Sequence, residues 1–315
     1  MDRLDIRILR ELTQAHTVWP ARPGFVPSYR FVARRIGASP GTVRNRVREM
    51  IRTGFLLRIS AYANPNLLGL GSGSYAVEVS SGRSKADVME KIAQLGGVVF
   101  FEDFRGPLLG MALTFSDSRD LERKLARIDQ ISGSSRGLFS RVEHPPAPGR
   151  LTRSEWALVG RLMAGNFRTY EQLAREFRVS SRTIKRRLAR LAENGAILTF
   201  PRMDYRALVG GVTAELIVAF EDRATKAEAE SRILHLLDDW MIYAGVWEEF
   251  EIFRLILPNV SKASEVAERV GHLDGIRFAR VEFVERLVDH LDALRPFVEQ
   301  RVSESSRATS VPAAV

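Results

Sequence analysis

A stretch of 28 residues occurs twice in this chain. Arg30–Leu57 reads RFVARRIGASPGTVRNRVREMIRTGFLL, and 141 positions later Glu171–Leu198 reads EQLAREFRVSSRTIKRRLARLAENGAIL, aligned without a gap. Ala33 falls on Ala174, Ser39 on Ser180, Thr42 on Thr183, Arg46 on Arg187 and Gly54 on Gly195. Such a repeat restricts the fold to two copies of one supersecondary unit, each with an apolar face to bury. Each copy predicts a helix, a tight turn and a second helix. Phe31, Val32 and Ile36 make the first apolar stripe (Leu173 and Phe177 in copy two), and Gly37-Ala38 or Arg178-Val179 interrupts it.

The second helix of each copy is punctuated at both ends. Ser39 suits an N-cap, because its hydroxyl can accept from an orphan amide of the first turn. Pro40 at the first helical position gives up no needed donor. Val43, Val47, Met50 and Ile51 recur at helical spacing, and Gly54 closes the helix where a left-handed residue is wanted. Ser180, Ile184, Leu188, Leu191 and Gly195 repeat this grammar.

The remaining outer face is cationic. Arg44, Asn45 and Arg48 lie there in copy one, and Arg182, Lys185, Arg186 and Arg190 in copy two. A capped cationic helix set on a preceding helix by a short turn is the arrangement that enters a DNA major groove. From Arg30 to Arg58, eight arginines oppose the single acid Glu49. The alternative is a solvated face on a structural helix-turn-helix. The expected DNA-binding set is Thr42, Arg44, Asn45, Arg46, Arg48, Arg182, Thr183, Lys185, Arg186 and Arg187. Arg46 and Arg187 are candidates for phosphate or structural contacts; Arg44, Asn45, Lys185 and Arg186 are better placed for base edges.

The 315 residues carry a net charge of +9, which favours a polyanionic partner. Zero cysteines exclude disulfides, thiolate metal sites and cysteine nucleophiles. The first residues alternate charge (Asp2, Arg3, Asp5, Arg7), unlike a signal peptide, and no apolar run approaches the ~20 residues that span a bilayer. A soluble, cytoplasmic protein is expected.

Leu4, Ile6, Ile8, Leu9 and Leu12 predict an opening helix under the first helix-turn-helix, and SEWALVGRL repeats it in copy two. Copy one has an insertion, HTVWPARPGFVPS at 16–28, where Trp19 and Phe25 are candidate surface anchors. Short extended pieces follow each helix-turn-helix at 56–70 and 197–211, fitting a small wing and linker. With LDIRIL, VARRIGASPGTVRNRVREMIRTGFL and YANPNLLGL on the page, and SEWALV, LAREFRVSSRTIKRRLARLAENGAI and MDYRALVG matching them, the chain resembles the leucine-responsive regulator (Lrp/AsnC) family of bacterial and archaeal transcription factors. The resemblance covers nearly the whole chain, and family members normally carry the unit once.

The family's second module is a ferredoxin-like βαββαβ (RAM-type) domain, and the sequence reads that way on its own. In copy one, strands are expected at 74–81, 98–104, 108–115 and 137–143, with helix faces at Val88, Ile92 and Leu95 and at Leu121, Leu125 and Ile128. In copy two, strands are expected at 213–220, 241–250, 252–257 and 278–285, with helices around Ile233 and Leu237 and around Val266 and Val270. The expected fold class is α+β: two winged helix-turn-helix domains alternating with two βαββαβ domains in one chain. The expected division is helix-turn-helix 1–62, βαββαβ 63–144, a proline-stiffened linker 145–150, helix-turn-helix 151–204, βαββαβ 205–302, and a small, polar, disordered tail 303–315. The resemblance implies βαββαβ sheets paired face to face, here within one chain as a pseudo-dimer, with higher oligomers formed by stacking.

The resemblance also implies a small-molecule effector near the βαββαβ interfaces. Candidate contacts are the hairpin acids Glu102, Asp103, Glu248 and Glu249, against the plainer reading that strand residues alternate between core and solvent. Sirohaem decarboxylases resemble the family too, with catalysis assigned to histidines of the βαββαβ domain. The histidines here are His16, His144, His235, His272 and His290, none within a hairpin. No metal-ligand spacing, phosphate loop or catalytic triad stands out, so the chain is expected to be no enzyme, to take no cofactor or metal, and to bind double-stranded DNA.

Overall fold

The computed structural model describes residues 1–13, 28–135, 137–146, 149–163, 169–246 and 250–308. Residues 16–27 of the insertion, with Trp19 and Phe25, lie outside the described residues. The first unit runs α1 (Arg3–Thr13), α2 (Tyr29–Ile36), α3 (Pro40–Arg52), β1 (Leu56–Ala63) and a short α4 (Pro65–Leu68). Then come β2 (Gly71–Glu78), α5 (Lys85–Ala93), β3 (Val98–Phe104), β4 (Leu108–Phe115), α6 (Ser118–Ser132) and β5 (Leu138–Arg141). The second unit repeats the order: α7 (Arg153–Met163), α8 (Tyr170–Glu176), α9 (Ser181–Glu193) and β6 (Ile197–Met203), with a 3-10 turn (Tyr205–Ala207) in the place of α4. It continues with β7 (Val212–Phe220), α10 (Arg223–Leu237), β8 (Met241–Val246), β9 (Phe250–Leu257), α11 (Val260–Gly271) and β10 (Ile276–Asp289). A 3-10 turn (Leu291–Leu294) and α12 (Arg295–Ala308) follow β10.

The helices form where periodicity and caps agree. Ser39 accepts from the Thr42 amide at 3.0 Å and Ser180 from the Thr183 amide at 3.1 Å. Val43, Val47 and Met50 are buried on α3, as are Ile184, Leu188 and Leu191 on α9. Each such side chain contributes roughly 1.5–3 kcal/mol by leaving water, which outweighs helix propensity.

The two units are tied together crosswise. β1 pairs antiparallel with β6, from Leu56 opposite Met203 to Ala63 opposite Ile197. The expected wing is therefore corrected: each extended piece finds its partner in the other unit, so neither forms a wing of its own. α1–α3 pack in one core with Ile242 and Ile256 of the second unit's sheet. α7–α9 pack in another with Val99, Phe100 and Ala112 of the first unit's sheet. Each helix-turn-helix thus rests on the other unit's strands.

The sheets join edge to edge, correcting the face-to-face pairing implied by resemblance. One eight-stranded sheet has the order β5-β2-β4-β3-β10-β7-β9-β8. The long β10 is the seam: its first part pairs with β7, and from Val284 to Asp289 it pairs with β3. A register shift between Val284 and Arg286 lets one strand serve both halves, as a bulge does by bending the strand. α5 and α6 cover one face of the first half, and α10 and α11 cover one face of the second. The helix-turn-helix units, the β1–β6 ribbon and α12 occupy the opposite face.

The tail is also corrected. Residues 303–308 belong to α12, which packs on α7 through Val298, 1% exposed, beside Leu294, 0% exposed. Residues 309–315 lie outside the described residues.

Candidate nucleic-acid interface

α3 and α9 are the elements that the sequence marks for reading DNA, and their outer faces are open. Arg44, Asn45 and Arg48 are exposed on α3; Arg182, Lys185 and Arg186 are exposed on α9. Neither helix has an acid in its first turn, so nothing there opposes an anion. Thr42 and Thr183 are half-buried, and their hydroxyls bond to the capping hydroxyls of Ser39 and Ser180 at 2.9 and 3.0 Å.

The shared arginines differ between units. Arg46 is held by Asp2 at 2.9 Å and by Asp5 at 3.5 Å, both on the α1 side, so its guanidinium braces the unit. Arg187 is half-buried, without an ion pair among the described residues. The Lys185 ammonium stands 5.1 Å from the ring centroid of Tyr170, a cation–π contact that orders its flexible stem. Arg190 pairs with the buried Glu155 of α7.

The strands bring α3 and α9 into a fixed relation. α3 ends beside Leu56 and α9 beside Ile197, at opposite ends of the antiparallel ribbon. At ~3.3 Å per residue, Leu56 to Ala63 spans about 23 Å, so the helices leave the ribbon from well-separated ends.

No family model matches the chain. It is 28% identical to an uncharacterised HTH-type transcriptional regulator of Pyrococcus abyssi over 152 residues, 45% of this chain and 88% of the relative. A second such regulator, from Pyrococcus furiosus, is 29% identical over 153 residues, 45% of this chain and 94% of the relative. Each relative has the length of one unit. Both relatives are HTH-type transcriptional regulators, in keeping with the resemblance of each unit to the Lrp/AsnC family. The chain's fold as a whole is also that of the sirohaem decarboxylase NirDL, at TM-score 0.51 and 15% identity, covering 96% of this chain and 99% of that one.

The hairpin acids on β3 already hold the chain's own cations. Consecutive on β3, Glu102 and Asp103 face opposite sides of the sheet. Glu102 takes the Arg254 guanidinium at 2.6 Å, and Asp103 takes Lys85 of α5 at 2.5 Å and Arg286 at 2.8 Å. Glu248 and Glu249 lie outside the described residues. Arg254, fully buried on β9, also binds Glu215 and donates to Tyr205 Oη at 2.7 Å. Burial, then the Glu215 carboxylate, raises Glu102 to about 7 against the pull of Arg254. This cluster, at the seam between the sheet halves, was not anticipated; the arginine inside the apolar strand IFRLIL was its sequence signal.

The four described histidines sit on different elements. His144 is in the linker, where burial lowers it to about 4; His235 is exposed on α10 and His272 at the end of α11. His290 follows β10, with its ring edge-on to Phe101 at 5.3 Å. His16 lies outside the described residues. Among the described residues no cluster of metal-ligating side chains forms, and no helix is long and apolar enough to cross a membrane.

Proposed function

We propose that the chain is a DNA-binding transcriptional regulator, working in the cytoplasm, in which one polypeptide presents two unlike reading helices. The observation that carries this reading is the recurrence of one feature: a capped helix with a buried apolar stripe and an exposed cationic face, at each end of a shared ribbon. The regulators to which the chain is similar, each one unit long, support it. Arginine and lysine contacts to phosphate capture the duplex, and side chains on α3 and α9 read base edges. Arginine and lysine suit guanine O6 and N7, and asparagine suits adenine N6 and N7. Arg44 and Asn45 in one unit, against Lys185 and Arg186 in the other, therefore fit an asymmetric operator with half-sites about one helical turn apart or a multiple of it. The minimal folded unit is one chain, because each helix-turn-helix needs the other unit's strands.

Fluorescence anisotropy of a labelled duplex over a salt series tests the reading. Affinity should fall steeply between low and physiological salt, and Arg44→Ala with Arg48→Ala should weaken binding at every salt concentration. Salt-independent or absent binding would overturn it.

The full-length likeness to a sirohaem decarboxylase supports a second reading, an enzyme acting on a tetrapyrrole. Uptake of sirohaem with a Soret band, together with carbon dioxide release, would favour it. The exposure of His235 on α10 and of His272 at the end of α11 weighs against it, because the resemblance assigns that catalysis to histidines in the βαββαβ domain.

A further inference from the structure

Among the described residues, Arg178 is the single non-glycine residue with positive φ, at 51°. It sits in the turn between α8 and α9. Its counterpart in the turn between α2 and α3 is Gly37, at φ 68°. Both turns close by the same main-chain bond: the Ala38 amide donates to Ala33 at 2.9 Å, and the Val179 amide to Ala174 at 3.0 Å. That closure needs a left-handed residue just before it. Glycine adopts this conformation freely, whereas a side chain brings Cβ against the following carbonyl. Arginine is therefore kept against local preference.

Packing does not explain its retention. Arg178 is exposed and, among the described residues, has no ion pair. Surface strain without a structural return is a mark of functional positions. In helix-turn-helix docking the second helix enters the groove while the first crosses the backbone, so the turn between them borders a phosphate strand. Arg175 and Arg182, also exposed, stand on either side of this turn in sequence. The first unit has Gly37 and Ala38 in the turn itself and Gly41 in the place of Arg182, while exposed Arg34 matches Arg175.

We propose that Arg178 is a DNA-backbone contact confined to the second unit, a cation held in a strained turn to meet the phosphate strand flanking the groove that α9 enters. This rests on the DNA-binding reading above. The contact carries no sequence information; it sets register and makes the second unit the stronger anchor.

The test uses the full chain with Arg178→Gly and Arg178→Lys, a duplex with a selected site, a random duplex, a salt series and thermal melts. Arg178→Gly should raise the melting midpoint, because glycine relieves the turn. It should also weaken both duplexes by the same factor and lower the slope of log affinity against log salt by about 1. Arg178→Lys should keep most of the affinity without the gain in midpoint. If Arg178→Gly binds both duplexes with the parent's affinity and slope, while Arg182→Ala with Arg186→Ala weakens them, this inference alone is overturned. If the parent binds no duplex, both readings fall.

Discussion

The two helix-turn-helix units share a backbone plan and an apolar seat on the other unit's strands, and differ in what fastens them further. The first is fastened by polar contacts: Arg10 of α1 donates to the Met241 carbonyl at 2.9 Å and pairs with Asp238 at 2.6 Å, and Thr13 donates to Ile242 at 2.8 Å. The second is clamped by the apolar contacts of α12 and the turn before it against α7, with Leu294 and Val298 buried. The sheet halves diverge likewise. Where Ser74 faces Ala112 across β2 and β4, Glu215 faces Arg254 across β7 and β9. Where Val77 faces Leu109, Val218 faces Glu251. At these positions the first half is uncharged, whereas the second carries buried charge that reaches across the seam to Glu102. Two identical chains could not make that pairing once only. Covalent duplication lets one copy specialise against the other.

The largest effect expected from breaking this asymmetry is at Arg254. Arg254→Ala strands Glu102 and Glu215 in the interior, and urea denaturation should show a loss of about 3–5 kcal/mol. Adding Glu215→Ser, which with Arg254→Ala gives the second half the Ser74 and Ala112 of the first, together with Glu102→Gln across the seam, should recover most of it. No recovery would mean that the charges are not what couples the halves.

Next is the clamp. Leu294→Ala should cost about 3 kcal/mol through the cavity it leaves. Hydrogen exchange should quicken in α7 and α12 while α1–α3 keep their protection. Equal loosening of both units would contradict separate anchoring.

Glu251 carries a pH signature that its counterpart Leu109 cannot. Burial, then Glu230, raises it from 4.5 to about 7, with Lys226 opposing. Between those values the folded state holds a proton that the unfolded chain has released. The contribution to stability is thus fully present below about pH 4.5 and is lost as pH rises through about 7. Glu251→Gln should flatten that fall and gain on the order of 2 kcal/mol at alkaline pH. An unchanged pH profile would assign the slope elsewhere.

The smallest change transfers one unit's turn to the other. Gly37→Arg should cost about 1 kcal/mol, because arginine must take the left-handed conformation. It should steepen the salt dependence of DNA binding; unaltered stability would mean that the first turn imposes no such constraint.

Local chemistry was legible in the sequence. The repeat, the Ser39 and Ser180 caps, the stripes of α3 and α9 and the strand–helix alternation of both units are short-range patterns, and the helices and strands follow them. What escaped depends on long-range contact. Glu102 and Arg254 are 152 residues apart, so the arginine in IFRLIL signalled a buried charge but nothing local named its partner. The crosswise docking and the edge-to-edge sheet arise because β1 and β10 find partners in the other unit, which no periodicity encodes. From Ser303 the chain looked like a disordered tail because its residues are small and polar; α12, seated on α7 through Val298, carries the helix on to Ala308. At the reading helices, the exposed cations were visible, but the capture of Arg46 by Asp2 and the stacking of Lys185 on Tyr170 required the packed structure. The alignment set Arg178 opposite Gly37, yet the left-handed turn that makes the substitution costly appears only in the backbone.

The central claim, two unlike DNA-reading helices in one chain, is tested most directly by selecting bound duplexes from a random pool with the full chain at a stated salt concentration. The account predicts an asymmetric site, richer in guanine on the side read by α9, and Arg44→Lys with Asn45→Arg should change the preference of one half only. A perfect palindrome, a swap that alters both halves equally, or no enrichment at all would contradict it.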